Sequence, residues 1–389
     1  MKYARDLTLD KAAPSVPPPK AAYVGEIDAL RCLAMTAVVL QHSGLLPFGW
    51  TGVWLFFVIS GFAITSSLLT SDHPPHSKAL LLRNFYVRRC LRIWPLYFTF
   101  VAANMIVAAI EGRGNVLGSG PWLVTFTYNY RMMLHNETWS TIGHLWTISV
   151  EEQFYLIFPF LFAFLAPRRL AKALWICIAL SLALRILLTY WLDSFSHDNL
   201  WKAFTVYAFA PAHFDAFSAG ALLALFRSFL ASRLPFARCM LVASLGAAAV
   251  YTCVYVGFNS LTEGFGKEAF RNVFSGILWG QGRQIWLYCV VDGLAVGLIA
   301  LVLAGEPWLL AACRLPLLQP IGRVSYGAYV FQVPALLLYE MLWPAGHASF
   351  GLLHGLGKFA FSYPLTLLLA LLSFRYLEKP VLLLRKRFA

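Results

Sequence analysis

The chain has 389 residues, of which 59% are hydrophobic and only 13% are charged, and its mean hydropathy is +0.66. Soluble globular proteins carry about 25% charged residues. The composition therefore excludes a soluble domain and predicts an all-α integral membrane protein with one helical bundle. In a soluble chain the net charge of +13 would suggest nucleic acid as a partner, but here the two membrane sides must be compared first.

The chain is predicted to consist of one membrane domain between two short tails. Residues 1–26 are polar and proline-rich, with the run PSVPPPK, and are expected to be disordered. They lack the apolar stretch of a cleavable signal, so the first span is expected to act as an uncleaved anchor. The membrane domain covers 27–380, and 381–389 form a basic cytoplasmic tail. The seven cysteines show no paired spacing, and no metal-ligand motif is found, so no metal is expected.

Ten apolar runs are long enough to cross a bilayer, which takes about 20 residues. They lie at 27–46, 51–70, 91–110, 143–166, 170–192, 203–226, 237–258, 285–304, 318–342 and 356–377. The stretch 121–134 is too short and polar for a span and is expected to be re-entrant or interfacial. With both termini cytoplasmic, 22 of the 31 Lys and Arg residues lie inside and 7 outside. This asymmetry supports the orientation and accounts for the charge without nucleic acid.

The first span carries three polar groups in the segment EIDALRCLAMTAVVLQH. Arg31 and His42 are eleven residues apart, which places them on one helical stripe and roughly 16 Å apart along the axis. They are suited to hold two parts of one long ligand. In the alternative interpretation, Asp28 and Arg31 form an i,i+3 surface pair and His42 is an interfacial residue.

A basic stretch, RNFYVRRCLRIWPLYF, follows the second span. On a helix, Arg88, Arg89 and Arg92 present a cluster of guanidinium groups on one face. Arginine binds phosphate through two parallel hydrogen bonds, and the cluster lies on the same predicted side as Arg31. The alternative is an anchor that follows the positive-inside rule.

The fourth span, HLWTISVEEQFYLIFPF, contains two adjacent carboxylates. Placing an acidic residue at the centre of a membrane helix costs roughly 2.5–3.5 kcal/mol. On a helix, His144, Glu151 and Tyr155 share a face, while Glu152 points about 100° away. We expect two histidines, His42 and His144, at the outer mouth of a cavity with Glu151 beneath them. The alternative is that both carboxylates are structural partners of buried arginines.

These segments resemble acyltransferase family three, whose members are integral-membrane, acyl-CoA-dependent O-acyltransferases. Besides the three segments above, the resemblance rests on GVWLFFVISGFAIT, HFDAFSAGALLAL, IGRVSYGAYVFQ and YLEKP. It covers the whole chain after the tail. The chain departs from the family pattern at His213, where an arginine is common, and at Gln332, where a histidine is common.

The resemblance implies transfer of an acyl group, commonly acetyl, from cytosolic acyl-CoA to a hydroxyl of an extracytoplasmic or lipid-linked glycan. It places the protein in a bacterial plasma (inner) membrane. Arg89 and Arg92 are then expected to hold the phosphates of acyl-CoA, together with Arg88, Arg31 and Asp28.

His42 is expected to be the general base, with an acyl-His42 intermediate as the competing mechanism. Glu151, His144 and Tyr155 complete the predicted catalytic set. Two other classes stay open, a transporter or flippase of a glycan or lipid precursor and a scaffold for envelope assembly. The acceptor and the oligomeric state are left open by the sequence.

Overall fold

The computed structural model describes residues 24–70, 77–135, 140–196, 198–264, 266, 270, 273, 282–344 and 351–384. Every regular element in these ranges is a helix. The predicted tails lie mostly outside the described residues, namely at 1–23 and 385–389. The first helix begins at Gly25, two residues before the predicted boundary.

Eleven helices in the described ranges have ten residues or more, and we label them α1 to α11. Their bounds are α1 Gly25–His42, α2 Thr51–Leu69, α3 Lys78–Ile110, α4 Trp146–Phe164, α5 Pro167–Asp193, α6 Asn199–Ala208, α7 Phe214–Leu225, α8 Leu234–Glu263, α9 Arg283–Ala304, α10 Ser325–Leu342 and α11 Leu352–Ser373. The shorter helices are Gly114–Leu117, Gly120–Val124, Tyr128–His135, Gly143–Leu145, Ala210–His213, Arg227–Ala231, Pro307–Cys313, Leu318–Arg323, Phe374–Glu378 and Lys379–Leu383.

Each of the ten predicted spans coincides with a helix, and the sixth coincides with the pair α6 and α7. Within the described residues, seven helices are long and apolar enough to cross a membrane, or eight if the bent pair counts as one span. The helices of the first and ninth predicted spans, α1 and α10, have 18 residues each and fall outside that set. The count of ten and the sides of the termini therefore stay predictions.

Two segments are more helical than the sequence indicated. The predicted third span, 91–110, is only the second half of α3, which begins at Lys78 after the N-cap Ser77. The basic stretch is therefore part of a continuous helix. The stretch 121–134 forms two short helices packed on the bundle, where the Tyr97 hydroxyl donates to the Leu123 carbonyl at 2.9 Å and the Gln153 amide donates to the side chain of Asn129 at 2.9 Å.

Helix α2 lies at the centre of the bundle and packs against α1, α7 and α9. Its contact with α7 requires two glycines, because a Cβ at Gly61 would lie 1.9 Å from the Phe217 carbonyl oxygen and a Cβ at Gly220 would lie 1.9 Å from the Val58 carbonyl oxygen. Small residues of this kind let helices in membranes approach closely. The close contact fixes α2, which carries one wall of the site described below.

The sixth predicted span is broken by a bend of 73° between α6 and the segment Ala210–Leu225. A buried guanidinium from α5 holds the bend, because Arg185 donates to the Ala212 carbonyl at 2.7 Å and pairs with Asp215 at 2.7 Å. His213 is buried beside them, with its Nε2 atom 3.1 Å from the Val206 carbonyl. The resembled family commonly carries an arginine at the position of His213. In this chain the arginine near that position is Arg185, which comes from α5.

Candidate functional site

Five guanidinium groups line one cavity at the end of the bundle where α1 starts and α2 ends. Arg31 comes from α1, Arg88, Arg89 and Arg92 come from the first half of α3, and Arg227 begins a short helix after α7. We call this cavity the basic vestibule, and its volume is about 290 Å³. The hydroxyls of Ser66, Ser67 and Thr70 from the end of α2 also line it. Its lining favours a ligand with several negative charges.

Asp28 is the acidic residue among those that line the vestibule, and it is only 2% exposed. Its carboxylate accepts a hydrogen bond from Arg31 at 2.8 Å and lies 3.8 Å from Arg323. The i,i+3 pair of Asp28 and Arg31 is therefore present, with Asp28 buried and Arg31 partly buried in the cavity wall. Asp28 orients Arg31 at the place where the vestibule narrows.

A second cavity continues from the vestibule into the bundle, and we call it the inner chamber. The two cavities share Arg31, Arg89 and Arg92 in their linings, and the chamber has a volume of about 90 Å³. Apolar side chains of α2 and α4, such as Val53 and Ile148, form much of the remaining wall. The chamber therefore changes along its length from a cationic end to a largely apolar end.

The chamber contains one of the two predicted carboxylates. Glu151 lines it and accepts a hydrogen bond from the Ser60 hydroxyl of α2 at 2.7 Å. The Arg89 guanidinium lies over the ring of Tyr155, 5.1 Å from its centroid, and it acts electrostatically on Glu151 together with Arg92. The chamber thus brings Glu151 and Tyr155 together with the predicted phosphate-binding arginines, as in the alternative interpretation of the carboxylates.

Glu152 does not line the chamber and instead faces the side of α4 that packs against α3, where it lies near Trp94. The helical phase therefore separated the two carboxylates correctly. This difference assigns Glu151 alone to the chamber.

The local geometry of His144 differs from the regular helix that the sequence predicted. Helix α4 begins at Trp146, and His144 lies in the preceding 3-10 turn Gly143–Leu145. This turn directs its ring towards α10, where Nε2 lies 3.0 Å from the Val330 carbonyl. His144 is buried, and its Nδ1 atom has no hydrogen-bond partner among the described residues.

Two hydroxyl groups separate His144 from the inner chamber. Thr147 and Tyr329 both line the chamber. The Tyr329 hydroxyl donates to the His144 carbonyl at 3.0 Å and accepts from Thr147 at 2.8 Å. A single layer of hydrogen-bonded side chains thus lies between the apolar end of the chamber and His144.

His42 ends α1, at the opposite end of this helix from Arg31. It lies close enough to His144 and to Lys358 of α11 to act electrostatically with both. The start of α11 packs on the end of α1, since a Cβ at Gly355 would lie 2.7 Å from the Ser43 carbonyl oxygen. The two histidines are therefore neighbours as predicted. The sequence analysis placed them at the mouth of a cavity with Glu151 beneath, but neither is among the residues that line the chamber of Glu151.

Sequence reasoning missed three groups of the site. Ser60 lies in GVWLFFVISGFAIT, a segment that supports the resemblance but in which no functional residue was predicted. Tyr329 lies in IGRVSYGAYVFQ, to which the same applies. Arg227 follows the sixth span in the same way that the arginine cluster follows the second span. Because both lie on the same predicted side of the membrane, a comparison of the basic residues on that side could have identified Arg227. Among the described residues, no group of three or more His, Cys, Asp or Glu side chains is placed to hold a metal ion.

Comparisons with known proteins identify bacterial relatives of this chain. Peptidoglycan O-acetyltransferase OatA of Listeria monocytogenes is 27% identical over 375 residues, which cover 92% of this chain and 56% of that protein. O-acetyltransferase OatA of Staphylococcus aureus is 25% identical over 382 residues, which cover 92% of this chain and 57% of that protein. The chain thus spans little more than half the length of these relatives. No solved structure matches it.

The acyltransferase domain family matches residues 24–375 of this chain. The match includes α1 to α11 and all of the residues that line the vestibule and the chamber. This chain therefore belongs to the acyltransferase domain family.

Proposed function

We propose that this protein transfers an acyl group, most simply acetyl, from cytosolic acyl-CoA to a hydroxyl of a glycan on the other side of the membrane. One observation carries the proposal. A cationic vestibule shares three arginines with a chamber whose wall includes Thr147 and Tyr329, and the hydroxyls of both residues donate to the carbonyl of His144. The relatives are named O-acetyltransferases, which supports acetyl as the group and a glycan as the acceptor.

The donor is held by its phosphates at the vestibule. Arg89 and Arg92 line both cavities and are suited to bind the diphosphate of acyl-CoA through paired hydrogen bonds. Asp28 keeps the Arg31 guanidinium at the same narrowing. The pantetheine arm then extends through the chamber, where the apolar wall accepts its carbon chain and excludes water. This arrangement brings the thioester towards the histidines.

The chemistry requires a base for the acceptor hydroxyl. His42 takes the proton while the hydroxyl oxygen attacks the thioester carbonyl, the C–S bond breaks, and the CoA thiolate takes up the proton. General-base catalysis of this kind contributes roughly 10²–10⁴-fold. In the competing mechanism the acyl group is first transferred to a nitrogen of His42 and then to the acceptor. The adjacent His144 has a fixed ring and an Nδ1 atom available as an acceptor, so it is the second candidate for the base.

Glu151 and Tyr155 act one step away from the transfer. The carboxylate of Glu151, held by Ser60 at 2.7 Å, offsets the charge of the arginines on the chamber side. The ring of Tyr155 supports the Arg89 guanidinium from one face. Both therefore position the arginines between the phosphates and the chamber, and neither needs to contact the thioester.

The identity of the acceptor can be tested by analysing the acyl groups on the glycans of the cell surface. In a bacterium that carries the gene for this protein, deletion of the gene is expected to remove ester-linked acyl groups from one surface glycan. Peptidoglycan is examined first because the Listeria relative carries it in its name. Mass spectrometry of the glycans, with complementation by the wild type and by His42→Ala, gives the result. Unchanged acylation after deletion, or full complementation by His42→Ala, would contradict the proposal.

A further inference from the structure

The five arginines of the vestibule fall into two groups. Arg31, Arg89 and Arg92 line the vestibule and the inner chamber, whereas Arg88 and Arg227 line only the vestibule. The first group therefore lies at the narrowing, and the second lies further from the chamber. Any ligand that enters the chamber from the vestibule meets these two groups in a fixed order.

Acyl-CoA carries its phosphates in the same order. From the thioester, the pantetheine arm leads to the diphosphate, and the diphosphate leads to a ribose that carries a separate 3′-phosphate. When the arm lies in the chamber, the diphosphate is at the narrowing and the 3′-phosphate is further out. We propose that Arg227, together with Arg88, binds the 3′-phosphate and makes the protein specific for CoA over 3′-dephospho-CoA. This inference rests on acyl-CoA being the donor, as proposed above.

The charges of the vestibule match this assignment. Its lining holds five guanidinium groups and the carboxylate of Asp28, and the carboxylate of Glu151 acts on three of these guanidinium groups from the inner chamber. Together these groups carry a net charge of +3. A diphosphate diester carries two negative charges, and a phosphate monoester adds about 1.5 to 2 at neutral pH. The diphosphate alone therefore leaves positive charge in the vestibule, which the 3′-phosphate balances.

Arg227 lies in the wall of the vestibule. Its side chain is half-buried at the start of the helix Arg227–Ala231. Arg233, six residues further along the chain, instead lies over the ring of Phe229 at 4.5 Å and does not line the vestibule.

The test compares two donors, acetyl-CoA and acetyl-3′-dephospho-CoA, with the purified full-length protein in lipid nanodiscs. Binding of each donor is measured calorimetrically, and KM and kcat are measured by thiol release once an acceptor is available. The wild type is expected to bind acetyl-CoA roughly tenfold or more tightly, as for loss of one charge-assisted contact. Arg227→Ala should weaken acetyl-CoA binding to the level of the dephospho donor. Arg233→Ala is the control and should keep the wild-type ratio.

The outcomes separate this inference from the proposed function. If Arg227→Ala keeps the wild-type preference, or weakens both donors by the same factor, Arg227 does not read the 3′-phosphate and the inference is overturned while acyl-CoA stands as donor. If the wild type binds neither donor, the donor assignment itself fails. Partial recovery of the preference in Arg227→Lys would support a contact with phosphate, because lysine restores the charge without the paired hydrogen bonds.

Discussion

Arg89 is the position at which the proposed donor site is tested most directly. It lines both cavities, and its guanidinium is supported on Tyr155 at 5.1 Å and on Phe85 at 5.7 Å from the ring centroids. A guanidinium held between two aromatic rings loses little conformational freedom when it binds a phosphate. Arg89→Ala should therefore remove a preorganised phosphate contact rather than a flexible surface charge.

The size of the effect follows from the contacts that Arg89 can make. A hydrogen bond to a charged group contributes roughly 1.5–3 kcal/mol, and 1.4 kcal/mol corresponds to a tenfold change in binding. We expect KM for acetyl-CoA to rise by roughly 10- to 150-fold in Arg89→Ala. Because the residue contacts the phosphates and not the thioester, kcat should fall much less. Arg89→Lys should give an intermediate KM, since it keeps the charge and loses the paired geometry.

The assay is a titration of acetyl-CoA with thiol release as the readout, at two salt concentrations. Arg83→Ala is the matched control, because Arg83 lies on the same helix, is exposed and does not line either cavity. Its KM should stay at the wild-type value. An unchanged KM in Arg89→Ala, or an equal rise in the Arg83 control, would refute the assignment of the donor phosphates to this cluster.

Three further predictions concern the centre of the site and the bundle. His42→Ala should lower kcat by roughly 10²–10⁴-fold without changing acetyl-CoA binding, as followed by turnover and calorimetry; wild-type turnover would exclude His42 as base or nucleophile. Glu151→Gln can keep the hydrogen bond to Ser60 but loses the charge, so kcat/KM should fall roughly tenfold or more, about 1.4 kcal/mol; a Ser60→Ala variant with a larger loss would contradict the role of the charge. Arg185→Met leaves Asp215 buried without its partner and should destabilise the protein by roughly 3–5 kcal/mol, measured by unfolding in detergent; a smaller loss than in Asp215→Asn would contradict this.

Local sequence signals predicted most of the helices and one side of the site. Apolar runs of about 20 residues coincide with helices because the length of a span and the satisfaction of its backbone groups are set by the bilayer. Helical phase assigned Glu151 to the cavity and Glu152 elsewhere, since α4 is regular at that point. The arginine cluster on α3 was predicted for the same reason.

The sequence could not supply what depends on contacts between distant segments. Ser60 and Glu151 are 91 residues apart, and Arg185 and Asp215 are 30 apart, so no local period relates them. The sequence also did not indicate that His144 lies in a 3-10 turn before α4 rather than in α4 itself. The bend near His213 was hidden because 203–226 has the apolar composition of an ordinary span.

The length of α1 restricts the class of donor that this site can use. Arg31 and His42 lie eleven residues apart on one regular helix, which is roughly 16 Å at 1.5 Å per residue. A small donor such as acetyl phosphate has its phosphate a few bonds from its acyl carbon, so it cannot contact the vestibule arginines and the histidines at the same time. A nucleotide-linked pantetheine arm separates the two functions. With the roles proposed for Arg31 and His42, the distance between the cationic end and the histidine end therefore favours acyl-CoA over acetyl phosphate as the donor.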